Sequence, residues 1–75
     1  MIEIYGKENC VHCQNAVKLA VSLEQKYKYY NVQIDGIEAL VERMGVRPRT
    51  VPQIFVDDNF VGGYKEFYQY MNDKG

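Results

Sequence analysis

The chain has 75 residues, of which 47% are apolar and 25% are charged, with a formal net charge of −1. This is the size of one small domain, predicted to span residues 1–75, and a charge near zero disfavours nucleic acid or a membrane surface as a partner. No stretch approaches the roughly 18 consecutive apolar residues of a membrane helix. The N-terminus lacks a secretory signal pattern, which favours the cytoplasm.

The first half of the chain alternates between strand and helix patterns. Residues 1–5 alternate in polarity as a strand does, and Asn9 is placed to cap the following helix. Apolar residues at helical spacing predict that this helix runs from Val11 to about Tyr27. Alternation then resumes over residues 29–34, which predicts a second strand in which Tyr30, Val32 and Ile34 share a face.

The second half begins with another helix. Asp35 is placed as its N-cap in a variant of the capping box, residues 37–44 have helical periodicity, and Gly45 supplies the C-terminal stop. The remaining elements are a strand over residues 53–56, a turn at 57–59, a return strand starting at 60–61, and a last helix from Tyr64 to about Met71. The order β-α-β-α-β-β-α predicts an α/β fold: a four-stranded mixed sheet flanked by helices, with a parallel first pair and an antiparallel last hairpin.

The only two cysteines, Cys10 and Cys13, lie where the first strand gives way to the first helix. A thiol at the first helical turn is close to the positive end of the helix dipole, which favours the thiolate, the form that attacks disulfides. A bridge across so short a loop stabilises little by chain entropy, so the pair predicts a reversible dithiol–disulfide switch. The alternatives are inert packing cysteines and a metal site, although structural zinc needs four ligands and this chain offers His12 and the two thiols at most.

Three segments of the chain form a pattern together: Cys10-Val11-His12-Cys13 after Lys7, then Thr50-Val51-Pro52 before Gln53–Val56, and finally Gly62-Gly63-Tyr64. In this pattern the chain resembles the glutaredoxin family, most closely the small dithiol glutaredoxins of bacteria and phages. The resemblance covers nearly the whole chain in order and spacing. It implies the minimal thioredoxin fold and a glutathione-dependent thiol–disulfide oxidoreductase of the cytoplasm, or of the host cytoplasm if the protein is phage-encoded.

The resemblance also implies roles for the cysteines. Cys10 becomes the nucleophile, Cys13 the more buried resolving thiol, and Lys7 a source of positive charge near the thiolate. Val11 and His12 replace the Pro and the Tyr or Phe that are commoner in this motif. His12 is still expected beside bound glutathione and, when protonated, favours the thiolate.

Two further segments are implied to form a groove for glutathione. Thr50-Val51-Pro52 resembles a cis-proline loop, in which the Val51 backbone pairs with an extended peptide. Gly62-Gly63 and the helix behind them resemble the site for the γ-glutamyl carboxylate, with Tyr64 beside the ligand. Lys65 and Glu66 depart from the Ser or Thr and the Asp of many relatives. Arg47 and Arg49 are candidates for the glycyl carboxylate, and Tyr5 is expected to reach the site together with Tyr64.

Glutathione is the implied co-substrate of a monomer that binds no cofactor and no metal. Glutathione mixed disulfides and protein disulfides are the implied substrates, and ribonucleotide reductase is one acceptor that the family suggests. Two alternatives remain open at this point. One is a thioredoxin-like protein reduced by a reductase enzyme; the other is a dimer bridged by an iron–sulfur cluster, with Cys10 and glutathione as ligands.

Overall fold

The order of elements is β-α-β-α-β-β-α, as predicted, in a computed structural model that describes residues 1–74. The four strands are β1 (Ile2–Gly6), β2 (Tyr27–Asn31), β3 (Gln53–Val56) and β4 (Asn59–Gly62). The three α-helices are α1 (Val11–Ser22), α2 (Ile37–Met44) and α3 (Tyr64–Lys74). Gly75, the last residue of the predicted domain, lies outside the described residues.

The strands form one mixed sheet in the order β2-β1-β3-β4. β1 pairs parallel with β2 and antiparallel with β3, and β3 pairs antiparallel with β4. The hairpin between β3 and β4 turns on Asp57 and Asp58, whose φ angles of 51° and 69° meet the requirement of a type I′ turn. The α/β fold class and the mixed sheet predicted from the sequence are therefore confirmed.

The sheet separates two apolar clusters, because successive strand side chains point to opposite faces. On one face α1 and α3 pack against β1 and β3, and the buried residues there are Ile2, Ile4, Ala16, Ala20, Ile54, Val56 and Phe67. On the other face Leu40 of α2 packs with Tyr5 and Phe55. This layering fixes the N-terminus of α1, and with it Cys10, at the end of β1.

The first helix and the second strand both differ from their predicted bounds. The prediction that the helix reaches Tyr27 is wrong: α1 ends at Ser22, because Glu24 adopts a left-handed conformation (φ 57°) and the chain reverses there. The N–H of Gln25 donates to the Ala20 carbonyl, the bond that closes a Schellman-type helix end. Tyr27 is thereby free to start β2, where it pairs with Ile2.

The predicted end of the second strand is wrong as well. The segment Val32–Gly36 forms a π-helical turn, which Asn31 caps by accepting a hydrogen bond from the Gln33 N–H at 2.8 Å. The strand ends at Asn31 for this reason. Ile34, predicted to share a strand face with Tyr30 and Val32, lies beyond the end of the strand and is 76% exposed.

The second helix starts at a different cap from the predicted one. Gly36, without a side-chain cap, is the N-cap of α2 in place of Asp35, because residue 35 already belongs to the π-helical turn. The C-terminal end is as predicted: Gly45 is left-handed (φ 76°), and its N–H donates to the Val41 carbonyl at 2.7 Å. Within residues 1–74, no helix has the length and apolar character needed to cross a membrane.

Candidate active site

Cys10 caps α1 in place of Asn9, the predicted N-cap. The Cys10 backbone is extended (φ −111°, ψ 111°), and its Sγ accepts a hydrogen bond from the Cys13 N–H at 3.2 Å. Asn9 adopts a left-handed conformation instead (φ 59°) and turns the chain from β1 toward the cap. The same N–H and the helix dipole would stabilise a thiolate at Cys10.

The two cysteines differ in accessibility. Cys13 lies one turn into α1 and is fully buried, whereas Cys10 is partly exposed. A disulfide joins them, with their Cα atoms 5.2 Å apart. The Cys10 Sγ also lies 3.9 Å from the carbonyl oxygen of Val51. Solvent therefore reaches Cys10, whereas Cys13 is shielded from it.

The loop opposite the cysteines contains a cis peptide bond between Val51 and Pro52, in agreement with the resemblance. Gln53 anchors this loop, since its side-chain amide donates to the carbonyl oxygen of Thr50 at 2.8 Å and to the Thr50 hydroxyl at 3.3 Å. Gln53 is the one polar residue among the buried residues that the structure describes. Its anchoring role was not predicted, because a glutamine at the start of a strand carries no sequence signal for it.

A cavity of about 710 Å³ opens between Cys10 and the cis-proline loop, and Thr50 and Val51 form part of its wall. Three cations line it: Lys7, Arg47 and Arg49. The other lining residues, which sequence reasoning missed, are Val32, Gln33, Ile37, Leu40 and Pro48. No carboxylate is among the lining residues, so the charge of this cavity is positive although the net charge of the chain is −1.

A second cavity, of about 280 Å³, shares Thr50 and Val51 with the first and extends toward α3. Its other lining residues are His12, Pro52, Gln53, Gly63, Tyr64, Lys65 and Glu66. The rings of His12 and Tyr64 stack with their centroids 6.5 Å apart and an interplanar angle of 24°. The two cavities thus bring together the residues predicted to contact glutathione; Gly62, at the end of β4, lines neither of them.

The backbone N–H of Gly63, which lies in the predicted carboxylate site, already has a partner in the chain itself. The Oε1 atom of Glu66 accepts its hydrogen bond at 2.9 Å, as the acidic residue of a capping box does. Gly62 has a φ of 126°, and a Cβ there would lie 3.0 Å from the Glu66 side chain, so this position requires glycine. A carboxylate of the protein therefore occupies part of the predicted carboxylate site.

Tyr5 reaches neither cavity, contrary to expectation, because it points into the cluster beneath α2. Its ring stacks on Tyr30 at 4.7 Å, and its hydroxyl accepts a hydrogen bond from Arg43 at 3.3 Å. Arg43 also pairs with Glu3 at 3.0 Å and lies 3.9 Å above the Phe55 ring. The hydrogen bond with Tyr5, and then the one with Glu3, raise the pKa of Arg43 against the opposing effect of burial. Tyr5 is thus part of the attachment of α2 to the sheet.

Comparison with known proteins agrees with this geometry. A family model described as Glutaredoxin matches residues 2–61. Glutaredoxin 1 of Escherichia coli strain K12 is 35% identical over 77 residues, covering 93% of this chain and 91% of that protein. Glutaredoxin 3 of the same strain is 39% identical over 69 residues, covering 89% and 81%.

Solved structures show the same likeness. The structure of reduced Escherichia coli glutaredoxin superposes with a TM-score of 0.80 at 34% identity, covering 96% of this chain and 93% of that one. The buckwheat glutaredoxin–glutathione complex shares the fold, with a TM-score of 0.78 at 23% identity and coverage of 97% and 69%. The chain therefore belongs to the glutaredoxin family and is a glutathione-dependent thiol–disulfide oxidoreductase.

Proposed function

We propose that Cys10 is the attacking thiolate of this exchange and Cys13 the resolving thiol. The observation that carries the assignment is the contrast between Cys10, which is partly exposed and whose sulfur accepts the Cys13 N–H, and the fully buried Cys13. The Cys10 thiolate attacks one sulfur of a substrate disulfide, and the other sulfur leaves with the electron pair and takes a proton from water. A mixed disulfide between Cys10 and the substrate remains.

Two routes lead on from that mixed disulfide. In the dithiol route the Cys13 thiolate attacks the Cys10 sulfur, the substrate leaves as a thiol, and the disulfide of this structure forms. Two glutathione molecules then reduce it and leave as glutathione disulfide. In the monothiol route Cys10 carries glutathione, and a second glutathione thiolate removes it directly, so Cys13 takes no part.

Glutathione is proposed to lie along the wall that Thr50 and Val51 contribute to both cavities. The cis-proline loop supports this placement, since the backbone of Val51 can pair with an extended peptide whose cysteine reaches Cys10. The positive charge of the larger cavity suits the glycyl carboxylate.

The γ-glutamyl end of glutathione is proposed to point toward α3. There it would meet the stacked rings of His12 and Tyr64 and the backbone of Gly63. The family resemblance adds the backbone of Gly62, at the end of β4. Glu66 already accepts the Gly63 N–H, so a ligand carboxylate gains that donor only when the Glu66 side chain moves aside.

The partners proposed for this site are protein disulfides and glutathione mixed disulfides, with ribonucleotide reductase as one protein acceptor. The chain is proposed to act as a single-domain monomer in the cytoplasm, with glutathione as co-substrate and no bound cofactor. Within the described residues, no three His, Cys, Asp or Glu side chains are grouped so that they could hold a metal ion.

The decisive experiment compares two sources of electrons. We expect the purified protein to reduce a glutathione mixed disulfide in the presence of glutathione, glutathione reductase and NADPH. Thioredoxin reductase with NADPH should support little turnover of the same substrate. Efficient reduction by thioredoxin reductase, with no turnover above background from glutathione, would contradict the proposal, and iron bound to the purified protein would favour the cluster-bridged dimer.

A further inference from the structure

The Tyr29 hydroxyl and the Cys13 sulfur pack against the same point of the backbone, the Cα of Gly6. A Cβ built on Gly6 would lie 2.4 Å from the Tyr29 oxygen and 2.8 Å from the Cys13 Sγ, closer than real side chains approach each other. Gly6 is the last residue of β1, Cys13 lies on α1, and Tyr29 lies on β2. Three elements therefore meet at the buried sulfur, and the absence of a side chain at Gly6 makes room for the two groups.

The same hydroxyl holds the loop that leads to Cys10. The Tyr29 oxygen donates a hydrogen bond to the Lys7 carbonyl at 3.1 Å, across 22 positions of the chain. Burial raises the pKa of Tyr29 above its ordinary value, and the Glu8 carboxylate raises it further. The hydroxyl consequently keeps its proton, and remains a donor, throughout the neutral pH range.

We propose that Tyr29 is a positioning residue for the resolving step. In that step it holds the loop that carries Cys10 close to the Cys13 sulfur. This inference rests on the cysteine roles proposed above. The resolving step needs the Cys13 thiolate to approach the Cys10 sulfur while the bond from Cys10 to the substrate breaks and the substrate sulfur departs with the electron pair. The approach is productive only if the Cys10 loop stays close to α1. The Tyr29 hydroxyl contacts this loop through the Lys7 carbonyl and also lies near the Cys13 sulfur, beside Gly6.

The first step of the exchange depends on different contacts. The Cys10 sulfur is stabilised for attack by the Cys13 N–H, a bond within α1 that does not involve Tyr29. Loss of the Tyr29 hydroxyl should therefore slow the resolving step and leave the attack by Cys10 unchanged. A merely structural role for Tyr29 would slow both steps together or neither.

A symmetric aromatic disulfide that releases a coloured thiolate separates the two steps in one stopped-flow experiment. Mixed with the fully reduced protein, it releases one coloured thiolate when Cys10 attacks, at a rate proportional to probe concentration. It releases a second when Cys13 resolves the mixed disulfide, at a rate independent of that concentration. Cys13→Ser should release only the first, which identifies the second phase. Absence of a first phase in the unmodified protein would contradict the proposed function itself, not the role of Tyr29.

We expect Tyr29→Phe to slow the second phase about three- to tenfold, the range that corresponds to loss of one neutral hydrogen bond, with the first phase unchanged. Tyr27→Phe is the matched control, since it removes a hydroxyl from the same strand and the described residues give that hydroxyl no hydrogen bond. Equal rates in Tyr29→Phe and the unmodified protein, or equal slowing of both phases, would overturn the inference. Thermal unfolding checks that each variant is folded.

Gly6→Ala provides a second, independent variant. Its methyl group would displace the Cys13 sulfur and the Tyr29 hydroxyl from the point they share. We expect Gly6→Ala, like Tyr29→Phe, to slow the second phase more than the first. An equal effect on both phases would count against the inference even if Tyr29→Phe failed to fold.

Discussion

The side-chain amide of Gln53 donates hydrogen bonds to both oxygens of Thr50, the carbonyl at 2.8 Å and the hydroxyl at 3.3 Å. We expect Gln53→Leu to loosen the cis-proline loop and to raise KM for a glutathione mixed disulfide. The unfolding free energy should fall by about 0.5–1.5 kcal/mol, because the Thr50 carbonyl loses its hydrogen-bond partner in the chain. Steady-state kinetics and urea denaturation measure the two effects. Gln14→Leu, on the exposed face of α1, is the matched control, and an unchanged KM in Gln53→Leu would show that the loop does not depend on this amide.

The two cysteines should respond differently to substitution. Cys10→Ser is expected to abolish both the deglutathionylation of small mixed disulfides and the reduction of protein disulfides. Cys13→Ser should keep the first activity and lose the second, because only the dithiol route uses the buried sulfur. Parallel assays with a glutathionylated peptide and a protein disulfide make the comparison. Activity retained by Cys10→Ser and lost by Cys13→Ser would reverse the assigned roles.

The positive charge of the larger cavity should act on substrate binding. We expect the double variant Arg47→Gln, Arg49→Gln to raise KM for a glutathione mixed disulfide about two- to fivefold at low salt, with kcat unchanged, as weak exposed ion pairs do. The effect should shrink as ionic strength rises, since salt screens exposed charges. Lys18→Gln, an exposed cation on α1 outside both cavities, should leave KM unchanged. A KM effect that does not depend on salt would point to shape, not charge.

The hydrogen bond between Glu66 and the Gly63 N–H should stabilise the start of α3. Glu66→Ala is expected to lower the unfolding free energy by about 0.5 kcal/mol, through loss of a cap and of a negative charge at the helix N-terminus. Urea denaturation measures this loss. Gln69→Ala, at an exposed position of the same helix, provides the reference for the helix propensity of alanine. Equal stability of the two variants would mean that the bond contributes nothing.

The raised pKa of Tyr29 predicts a stability change at alkaline pH. The folded state holds this proton more tightly than the unfolded chain, whose tyrosine titrates near the ordinary value of 10.0. The resulting stabilisation is fully present below that pH and is lost as the pH rises through the raised pKa. Tyr29→Phe should therefore lose less unfolding free energy between pH 9 and pH 11 than the unmodified protein does. Identical pH profiles for the oxidised forms of the two proteins would contradict the shift.

The order of elements was predictable because, in most of them, apolar residues recur at the spacing of a strand or of a helix. The end of α1 was not predictable from the sequence. The left-handed residue that follows a helix is usually a glycine, but here it is Glu24. Pairing of Tyr27 with Ile2 then decides where β2 begins. Ile34 was wrongly predicted to lie in the second strand, because the alternation of apolar residues in the sequence continues past Asn31, where the strand itself ends.

The candidate site was predictable where its residues belong to short motifs. Cys10 and Val51 lie close together as the family resemblance implies, 41 positions apart in sequence. The wall supplied by Gln33 and Leu40 was missed, because the π-helical turn and α2 approach the cysteines only in the folded chain. The N-cap of α1 was also wrongly predicted. Asparagine is a common N-cap residue, which favoured Asn9, whereas cysteine, the residue that caps the helix here, is an uncommon one.

The sulfur proposed to attack, that of Cys10, also accepts the hydrogen bond that closes the first turn of α1, so the stability of this turn depends on the oxidation state of Cys10. A thiolate is a stronger acceptor for the Cys13 N–H than a sulfur already bonded to glutathione. Glutathionylation of Cys10 therefore weakens the turn, and by reciprocity any change that strengthens the turn favours the reduced form by the same amount. The Cys13 amide thus becomes a built-in reporter, whose hydrogen-exchange rate records the oxidation state of its neighbour.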